Sequence, residues 1–290
     1  MTQRLRRQPF LFLVPGLAMI MAVFVAPFFW TVALGFTDFN LWGDPTRGVA
    51  FVGLRNFARL MQDRDFYNST AVTLSFVLLA VIGHVTLGLL YANLIRVPRI
   101  RFTKVISVSM LIPWLTPGLV VGYMWRSVLN VDYGSLNDLL QLVGLMRIDW
   151  LRNYPLISIL MANWSRGMAV AFILLSAGLE SIPSTVYDAS KIDGASAWQT
   201  FLYIKIPMIR YSLLLTVLMS TFGTLLAFDM VYGLTGGGPL GRTEVFAIYL
   251  YNEAFGHMAL GYAGAASTVI LMLTVGLGLI YIRLNRVVEN

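Results

Sequence analysis

The chain has 290 residues, of which 58% are hydrophobic and only 12% are charged. In soluble domains about a quarter of all residues are charged, so this composition excludes an ordinary soluble domain and indicates a membrane protein with several spans. The absence of cysteine excludes disulfides and thiolate metal sites, and the net charge of +7 is typical of basic loops on one side of a membrane.

Six apolar stretches are long enough to cross a bilayer, which takes about 20 residues as a helix. The first follows three arginines, and it is interpreted as a retained span because its apolar run is longer than that of a signal peptide. The fold class is therefore all-α, with six transmembrane helices in a single domain over 1–290. The predicted spans are about 10–36, 69–95, 105–128, 156–178, 209–230 and 261–282.

The distribution of basic residues predicts the orientation of these spans. The two termini, the turn at 96–104 and the polar loop at 180–208 with Arg210 just after it together hold twelve lysines and arginines, whereas the other three loops hold seven, offset by nine acidic residues. Basic residues favour the cytoplasmic side, so both termini and the 180–208 loop are predicted to be cytoplasmic.

The cytoplasmic loop contains the segment VYDASKIDGASAWQTFLYIKIP, which starts at Val186. Ser196 and Gln199 have the spacing of a capping box, which predicts a helix from about 197 to 205 that ends near Pro207. The preceding STVYDASKI predicts another short helix, with Thr185 and Asp188 at a weaker capping spacing. Gly194 lies between the two and predicts a bend.

The two short helices carry apolar side chains that need a place to pack. Two interpretations are open: a partner protein receives them in a groove, or they fold onto the cytoplasmic ends of the chain's own spans. The side chains concerned are those of Val186, Tyr187, Ile192, Trp198 and Phe201.

This segment resembles the EAA loop of membrane subunits in binding-protein-dependent ABC importers. That pattern has E-A-A, three residues, G, nine residues and I-x-L-P. Here Asp188-Ala189-Ser190 is followed by Gly194 and then by Ile204-Lys205-Ile206-Pro207 at the same spacing. Asp replaces Glu, Ser replaces the second Ala, and Ile replaces Leu. The stretches FVGLRNFARLMQDRDFYNS, YGSLNDLL, LTGGGP and GYAGAAS resemble the carbohydrate-uptake branch, with its maltose-type and glycerol-phosphate-type permeases.

The resemblance implies a type I ABC importer permease fold and a subunit that passes a sugar across the inner membrane of a bacterium or archaeon. It also implies a second homologous permease, two ATPase subunits that bind ATP and magnesium, and an extracytoplasmic solute-binding protein at the outer loops, including 234–242. The EAA-like positions expected to couple this chain to the ATPase are Tyr187, Asp188, Ala189, Ser190, Asp193, Gly194 and Ala195.

Polar residues within the spans are candidates for the substrate pathway, because polar groups at that depth are costly and usually functional. Arg166 is interpreted either as a hydrogen-bond donor to a sugar or as a structural charge. Thr116, Asn163 and Asp229 are further candidates. Gly167, Val170, Ser220 and Thr224 resemble positions that contact sugar in maltose-type permeases. His84 is interpreted as a packing residue or as a partner in a bond between helices, rather than as a proton relay. Trp114, Trp125 and Trp164 are interpreted either as rings that stack on a sugar or as interface or core residues.

Other functions remain as alternatives. A permease for a polyol, glycerol phosphate or another polar solute fits the same family, whereas a secondary transporter would need acidic or histidine relays within the spans. The chain has no G-x-x-x-x-G-K-[ST] phosphate-binding loop and no clustered nucleophile, base or metal ligands. It is therefore predicted to bind no cofactor, no metal and no nucleic acid, and to be no enzyme itself.

Overall fold

The computed structural model describes residues 8–43, 48–96 and 102–289, with side chains described from 13 to 283 within these ranges. Apart from one isolated bridge between Thr37 and Phe51, these residues form helices, turns and loops. The chain divides into two compact units, residues 1–64 with 250–277 and residues 65–249 with 278–290. The assignment of the whole chain to one domain remains a prediction.

The first unit contains helix α1 (Gln8–Ile20), a π-helical turn (Met21–Val25), α2 (Ala26–Leu34), α3 (Arg55–Leu60) and the beginning of the last helix. Between Leu13 and Leu34 none of the described side chains is buried within this chain. In contrast, the end of α2 packs closely on the last helix: a Cβ atom at Gly35 would lie 3.0 Å from the backbone nitrogen of Ala265.

The second unit begins with α4 (Arg64–Leu94), which covers the second predicted span. The third predicted span is not one straight helix: α5 (Thr103–Ser109) and α6 (Ile112–Leu115) are followed, after a bend of 104°, by α7 (Gly118–Val128). Thr116 is extended with ψ of 134°, because Pro117 after it disfavours helical geometry. An outer loop then holds the short helices α8 (Ser135–Leu142) and α9 (Trp150–Asn153).

The fourth predicted span is α10 (Pro155–Glu180), and the 180–208 loop after it is helical. It consists of α11 (Ser184–Ile192), then α12 (Ala197–Gln199), a π-helical turn (Thr200–Lys205) and α13 (Ile206–Met208). A bend of 73° separates this helix from α14 (Arg210–Leu225). The fifth predicted span ends in a break at Leu226 and Ala227, after which α15 (Phe228–Leu234) starts.

The chain ends with α16 (Phe246–Tyr251), a π-helical turn (Asn252–Gly256) and α17 (Leu260–Glu289), which contains the sixth predicted span. Before α16, Gly236 and Gly237 have positive φ angles of 62° and 91°, as the LTGGGP motif predicts. Within the described residues, four helices are long and apolar enough to cross a membrane, or up to six segments if each bent pair forms one span.

Two apolar clusters form the core of the second unit. One lies between α4, α7, α10 and α15, around Phe76, Ile159 and Met230. The other lies at the opposite end of α4 and α10, around Ala92, Leu175 and Leu179. The first supports a cavity, and the second supports the helices of the 180–208 loop.

Candidate functional site

A cavity of about 580 Å³ lies in the second unit, among α4, α6, α10, α14 and the break before α15. Seven of the eight side chains predicted for the substrate pathway line it, together with residues not predicted for it. The seven are Asn163, Arg166, Gly167, Val170, Ser220, Thr224 and Asp229, and the additional residues are His84, Trp114, Leu174, Met219, Gly223, Leu226 and Ala227.

Thr116 is the predicted pathway residue that does not line the cavity. Its hydroxyl donates to the carbonyl oxygen of Ile112 at 2.8 Å, and the residue forms the break between α6 and α7. A hydroxyl that bonds the preceding turn is common in membrane helices. Thr116 thus ends α6 and lies outside the lining of this cavity, and its place in the substrate pathway stays a prediction.

The polar groups around the cavity come from three helices and contact one another. Nε2 of His84 on α4 lies 3.2 Å from the carbonyl oxygen of Asn163 on α10. The hydroxyl of Thr224 on α14 donates to Oδ1 of Asn163 at 3.5 Å. His84 therefore makes a contact between helices, as one of its two interpretations expects, and its partner belongs to the cavity wall.

Arg166 and Asp229 bring opposite charges to the same cavity without forming an ion pair. Arg166 forms no hydrogen bond or salt bridge with the described residues, and its buried Nε atom has no partner there. At the beginning of α15, the carboxylate of Asp229 accepts a hydrogen bond of 2.8 Å from the backbone N–H of Met230. A negative side chain is favourable at the N-terminus of a helix, so Asp229 is stabilised without a cation.

Glycines allow α4 and α10 to approach very closely beside the cavity. A Cβ atom at Gly83 would lie 2.0 Å from Nε1 of Trp164, and one at Gly167 would lie 2.0 Å from Nε2 of His84. Each helix thus places a ring over a glycine of the other. Trp164 also donates to the carbonyl oxygen of Leu79 at 3.1 Å.

The 180–208 loop forms the helix, bend and helix that its sequence predicts. Ser196 and Gln199 make both hydrogen bonds of the capping box, and Gly194 has φ of 72° with open space around its Cα. The predicted cap of the first helix is wrong, because α11 starts at Ser184 after Pro183 and has no side-chain cap. The second helix also continues past Pro207 to Met208.

Some apolar side chains of this loop pack onto the chain's own helices, and others stay exposed, where a partner protein could cover them. Val186 and Tyr187 pack on the cluster around Leu175 and Leu179, so part of the loop folds onto the chain's own helices. Ile192 and Trp198 are 87% and 66% exposed, respectively, which leaves apolar surface uncovered within this chain.

The predicted coupling positions differ in how far they are buried within this chain. Asp188, Ala189, Asp193 and Gly194 are exposed. Ser190 is buried, and its hydroxyl donates to the carbonyl oxygen of Tyr187 at 2.8 Å. Tyr187 and Ala195 are half-buried. Ser190 is therefore buried within this chain, whereas its predicted part in coupling to the ATPase stays a prediction.

The all-helical fold, the apolar helices and the cavity between them define the class of the protein: a multi-pass membrane permease. A structural comparison supports this fold, since a bacterial ABC transporter that imports the acidic polysaccharide alginate matches with a TM-score of 0.83 over 99% of both chains at 19% identity.

The family model described as the binding-protein-dependent transport system inner membrane component matches residues 84–290. The chain belongs to this family, which confirms the resemblance based on the EAA-like spacing, and it is a transport subunit of an ABC importer. A trehalose/maltose transport system permease of Thermococcus litoralis is 33% identical over 81% of this chain and 80% of its own length. A sulfoquinovosyl glycerol transport system permease of Agrobacterium fabrum is 29% identical over 95% and 89%.

Proposed function

We propose that this chain forms half of the pathway by which an ATP-driven importer moves a sugar across the inner membrane. The observation that carries the proposal is the cavity, where Arg166, Asn163, Ser220 and Thr224 offer donors and acceptors beside the indole of Trp114. Sugar hydroxyls require such donors and acceptors, and a few polar groups in a mostly apolar wall are typical of small-molecule sites.

The similar proteins support a sugar as the cargo. The relatives from Thermococcus litoralis and Agrobacterium fabrum are a trehalose/maltose permease and a sulfoquinovosyl glycerol permease, and a further relative from Rhizobium radiobacter is a lactose permease. These cargoes all carry several hydroxyl groups but differ in size and charge. We infer a mono- or oligosaccharide or a derivative of one.

The partners follow from what this chain leaves open. The uncovered apolar surface between Leu13 and Leu34 fits a second homologous permease and membrane lipid. The exposed Asp188, Ile192 and Trp198 fit a groove on an ATPase subunit, two of which would bind the ATP and magnesium. A solute-binding protein would deliver the sugar at the outer loops, and one accompanies the similar alginate transporter.

The proposed location is the inner membrane of a bacterium or archaeon, with both termini and the 180–208 loop in the cytoplasm. Part of the charge count behind this orientation lies outside the described residues, namely Arg4, Arg6, Arg7, Arg47, Arg99 and Arg101, as does the side chain of Arg286. The other basic residues counted for the cytoplasmic side lie within the described residues. They are Arg96, Lys104, Lys191, Lys205, Arg210 and Arg283.

Reconstitution with a second permease, two ATPase subunits and a solute-binding protein from the same organism tests this function. The solute-binding protein is first titrated with trehalose, maltose, lactose and glycerol 3-phosphate, and the tightest binder becomes the radiolabelled probe. We expect proteoliposomes to accumulate the probe only with ATP and the binding protein, and orthovanadate to stop uptake.

A protonophore serves as the matched treatment in the same vesicles and is expected to leave uptake unchanged. Uptake that stops with the protonophore but continues with vanadate would contradict the proposal and favour a secondary transporter. If the solute-binding protein binds only glycerol 3-phosphate tightly, the cargo is a phosphorylated polyol and not a sugar.

The bend at Gly194 gives a second prediction, for the contact with the ATPase. Gly194→Val places a β-branched side chain at φ of 72°, which costs about 1–2 kcal/mol for an L-residue. We expect the affinity of the detergent-solubilised permease pair for the ATPase to fall about 5–30-fold, measured by biolayer interferometry.

Gly194→Asn is the matched control, because asparagine tolerates the left-handed region and the surroundings leave room for a side chain. It is expected to keep the affinity close to that of the unmodified chain. Equal affinity of the Val and Asn variants would show that the bend has no part in ATPase binding.

A further inference from the structure

Arg96 joins the ends of α4 and α10. It lies two residues past the end of α4, and its guanidinium donates from Nη1 to the carbonyl oxygen of Leu179 at 2.9 Å and from Nη2 to that of Ser176 at 3.1 Å. Nη2 also lies 3.6 Å from the carboxylate of Glu180, the last residue of α10. The last carbonyl groups of a helix lack partners within it, so Arg96 caps α10 and places a positive charge at its negative end.

Lys205 connects the 180–208 loop to the same end of α4. Its ammonium donates to Oδ1 of Asn93 on the last turn of α4 at 2.7 Å. Asn93 is itself oriented, because its Nδ2 donates to the carbonyl oxygen of Leu89 at 2.8 Å. The Lys205 ammonium also lies 5.8 Å from the centre of the Tyr187 ring, within the range of a cation–π contact.

These contacts link both helices of the loop to the helices that line the cavity. Tyr187 belongs to α11, Lys205 to the helix that continues into α13, Asn93 to α4, and Arg96 bridges α4 and α10. We define Asn93, Arg96, Tyr187 and Lys205 as the Arg96 clamp. The apolar cluster around Leu175 and Leu179 packs beneath it and includes the Tyr187 ring.

The clamp also brings two cations together at a partly buried place. The pKa of Lys205, which lies before the start of α14, is lowered first by burial and second by the positive charge of Arg96. Two like charges repel each other, so their juxtaposition is unfavourable unless fixed groups offset it. Glu180, Asn93 and the end of α10 supply these groups, so the arrangement depends on all of its members.

We propose that the Arg96 clamp is a positioning cluster that makes the 180–208 helices, α4 and α10 move together during transport. The inference rests on the proposed function, in which an ATPase pushes on the exposed side of this loop. His84 on α4 and Asn163 on α10 line the cavity, so a displacement at the clamp reaches the cavity through two continuous helices. Packed elements of this kind switch between discrete arrangements rather than deform gradually.

The test measures how many probe molecules are imported per ATP hydrolysed, using the reconstituted complex and the radiolabelled probe chosen above. Arg96→Gln removes one charge and shortens the side chain to an uncharged amide, and Lys205→Met removes the other charge with a side chain of similar length. Because hydrogen bonds to charged groups are the strong ones, we expect each variant to lower this ratio about tenfold. The complex should still assemble and hydrolyse ATP within about twofold of the unmodified rate, because changes at distant sites act nearly independently of one another.

Three further variants separate positioning from general stability. Lys205→Arg keeps a cation for Asn93 and Tyr187 and is expected to restore most of the ratio. The double variant Arg96→Gln with Lys205→Met is expected to be no worse than the worse single variant, because members of one unit are non-additive. Arg283→Gln removes an exposed charge from α17 and should leave the ratio unchanged.

The outcomes distinguish this inference from the proposed function. If the unmodified complex imports with ATP and Arg96→Gln keeps its ratio of probe to ATP, the clamp has no positioning role and the proposed function stands. If the unmodified complex does not import, the proposed function itself fails. Should Arg96→Gln not assemble, Lys205→Met and Lys205→Arg decide by the same ratio, and equal ratios would overturn the inference.

Discussion

Replacing Arg166 with alanine is expected to lower uptake of the probe sugar about 10–100-fold, because a hydrogen bond from a charged donor contributes about 1.5–3 kcal/mol. The guanidinium lies in the cavity wall and has no hydrogen-bond or ion-pair partner among the described residues, so its donors remain available for a substrate. The measurement is the initial rate of uptake into proteoliposomes at saturating ATP. Assembly with the ATPase should be unchanged, since Arg166 lies far along α10 from its end at Glu180.

Arg126→Ala is the matched control for this experiment. Arg126 is an exposed arginine on α7 of the same unit and does not line the cavity. Its replacement is expected to leave uptake and assembly unchanged. If Arg166→Ala transports at the unmodified rate, Arg166 is a packing residue and the cavity must recognise its substrate through the amide and hydroxyl groups.

Gly122→Ala is expected to destabilise the second unit by about 1–3 kcal/mol, the usual effect of inserting a methyl group into a packed core. A Cβ atom at this position would lie 2.5 Å from the carbonyl oxygen of Met230 and 3.0 Å from the backbone nitrogen of Leu234. Both are backbone atoms of α15, so no side-chain rotation relieves the contact. The measurement is the thermal unfolding temperature of the detergent-solubilised chain, followed by fluorescence-detected gel filtration.

Gly276→Ala provides the comparison, because a Cβ atom there would meet nothing within 4 Å and the residue lies within α17. Alanine is the better helix former, so this variant should be as stable as the unmodified chain or up to about 1 kcal/mol more stable. Equal unfolding temperatures for the two variants would show that α7 and α15 can move apart without a loss of stability.

The helical fold was predictable from the sequence because hydrophobic length and capping chemistry are local signals. The capping box of Ser196 and Gln199 and the bend at Gly194 depend only on neighbouring residues, and both are present in the structure. The cavity was also largely predictable, since polar residues within apolar stretches are few. Five of the seven predicted residues that line it are polar or charged, whereas Gly167 and Val170 came from the family resemblance; contact of any of them with substrate stays a prediction.

The breaks in the third and fifth predicted spans were not predicted, and their causes differ. At Thr116 a proline follows, which is a local signal, but a proline is also tolerated within membrane helices. At Leu226 and Ala227 no proline or glycine marks the break, so it depends on the packing of α15 against α7. A bond between helices was expected for His84, but its partner Asn163 could not be predicted, because the two helices are distant in sequence.

The rings of Trp164 and His84, each seated over a glycine of the opposite helix, have a consequence for how an alternating pore can open. If α4 slides or rolls along α10, the ring of Trp164 or of His84 has to leave its position over the facing glycine. Dense interiors of this kind resist such rearrangement. Relative sliding of α4 and α10 is therefore costly, and a change in pore shape costs less at places where a helix is already interrupted, such as Thr116 and Leu226.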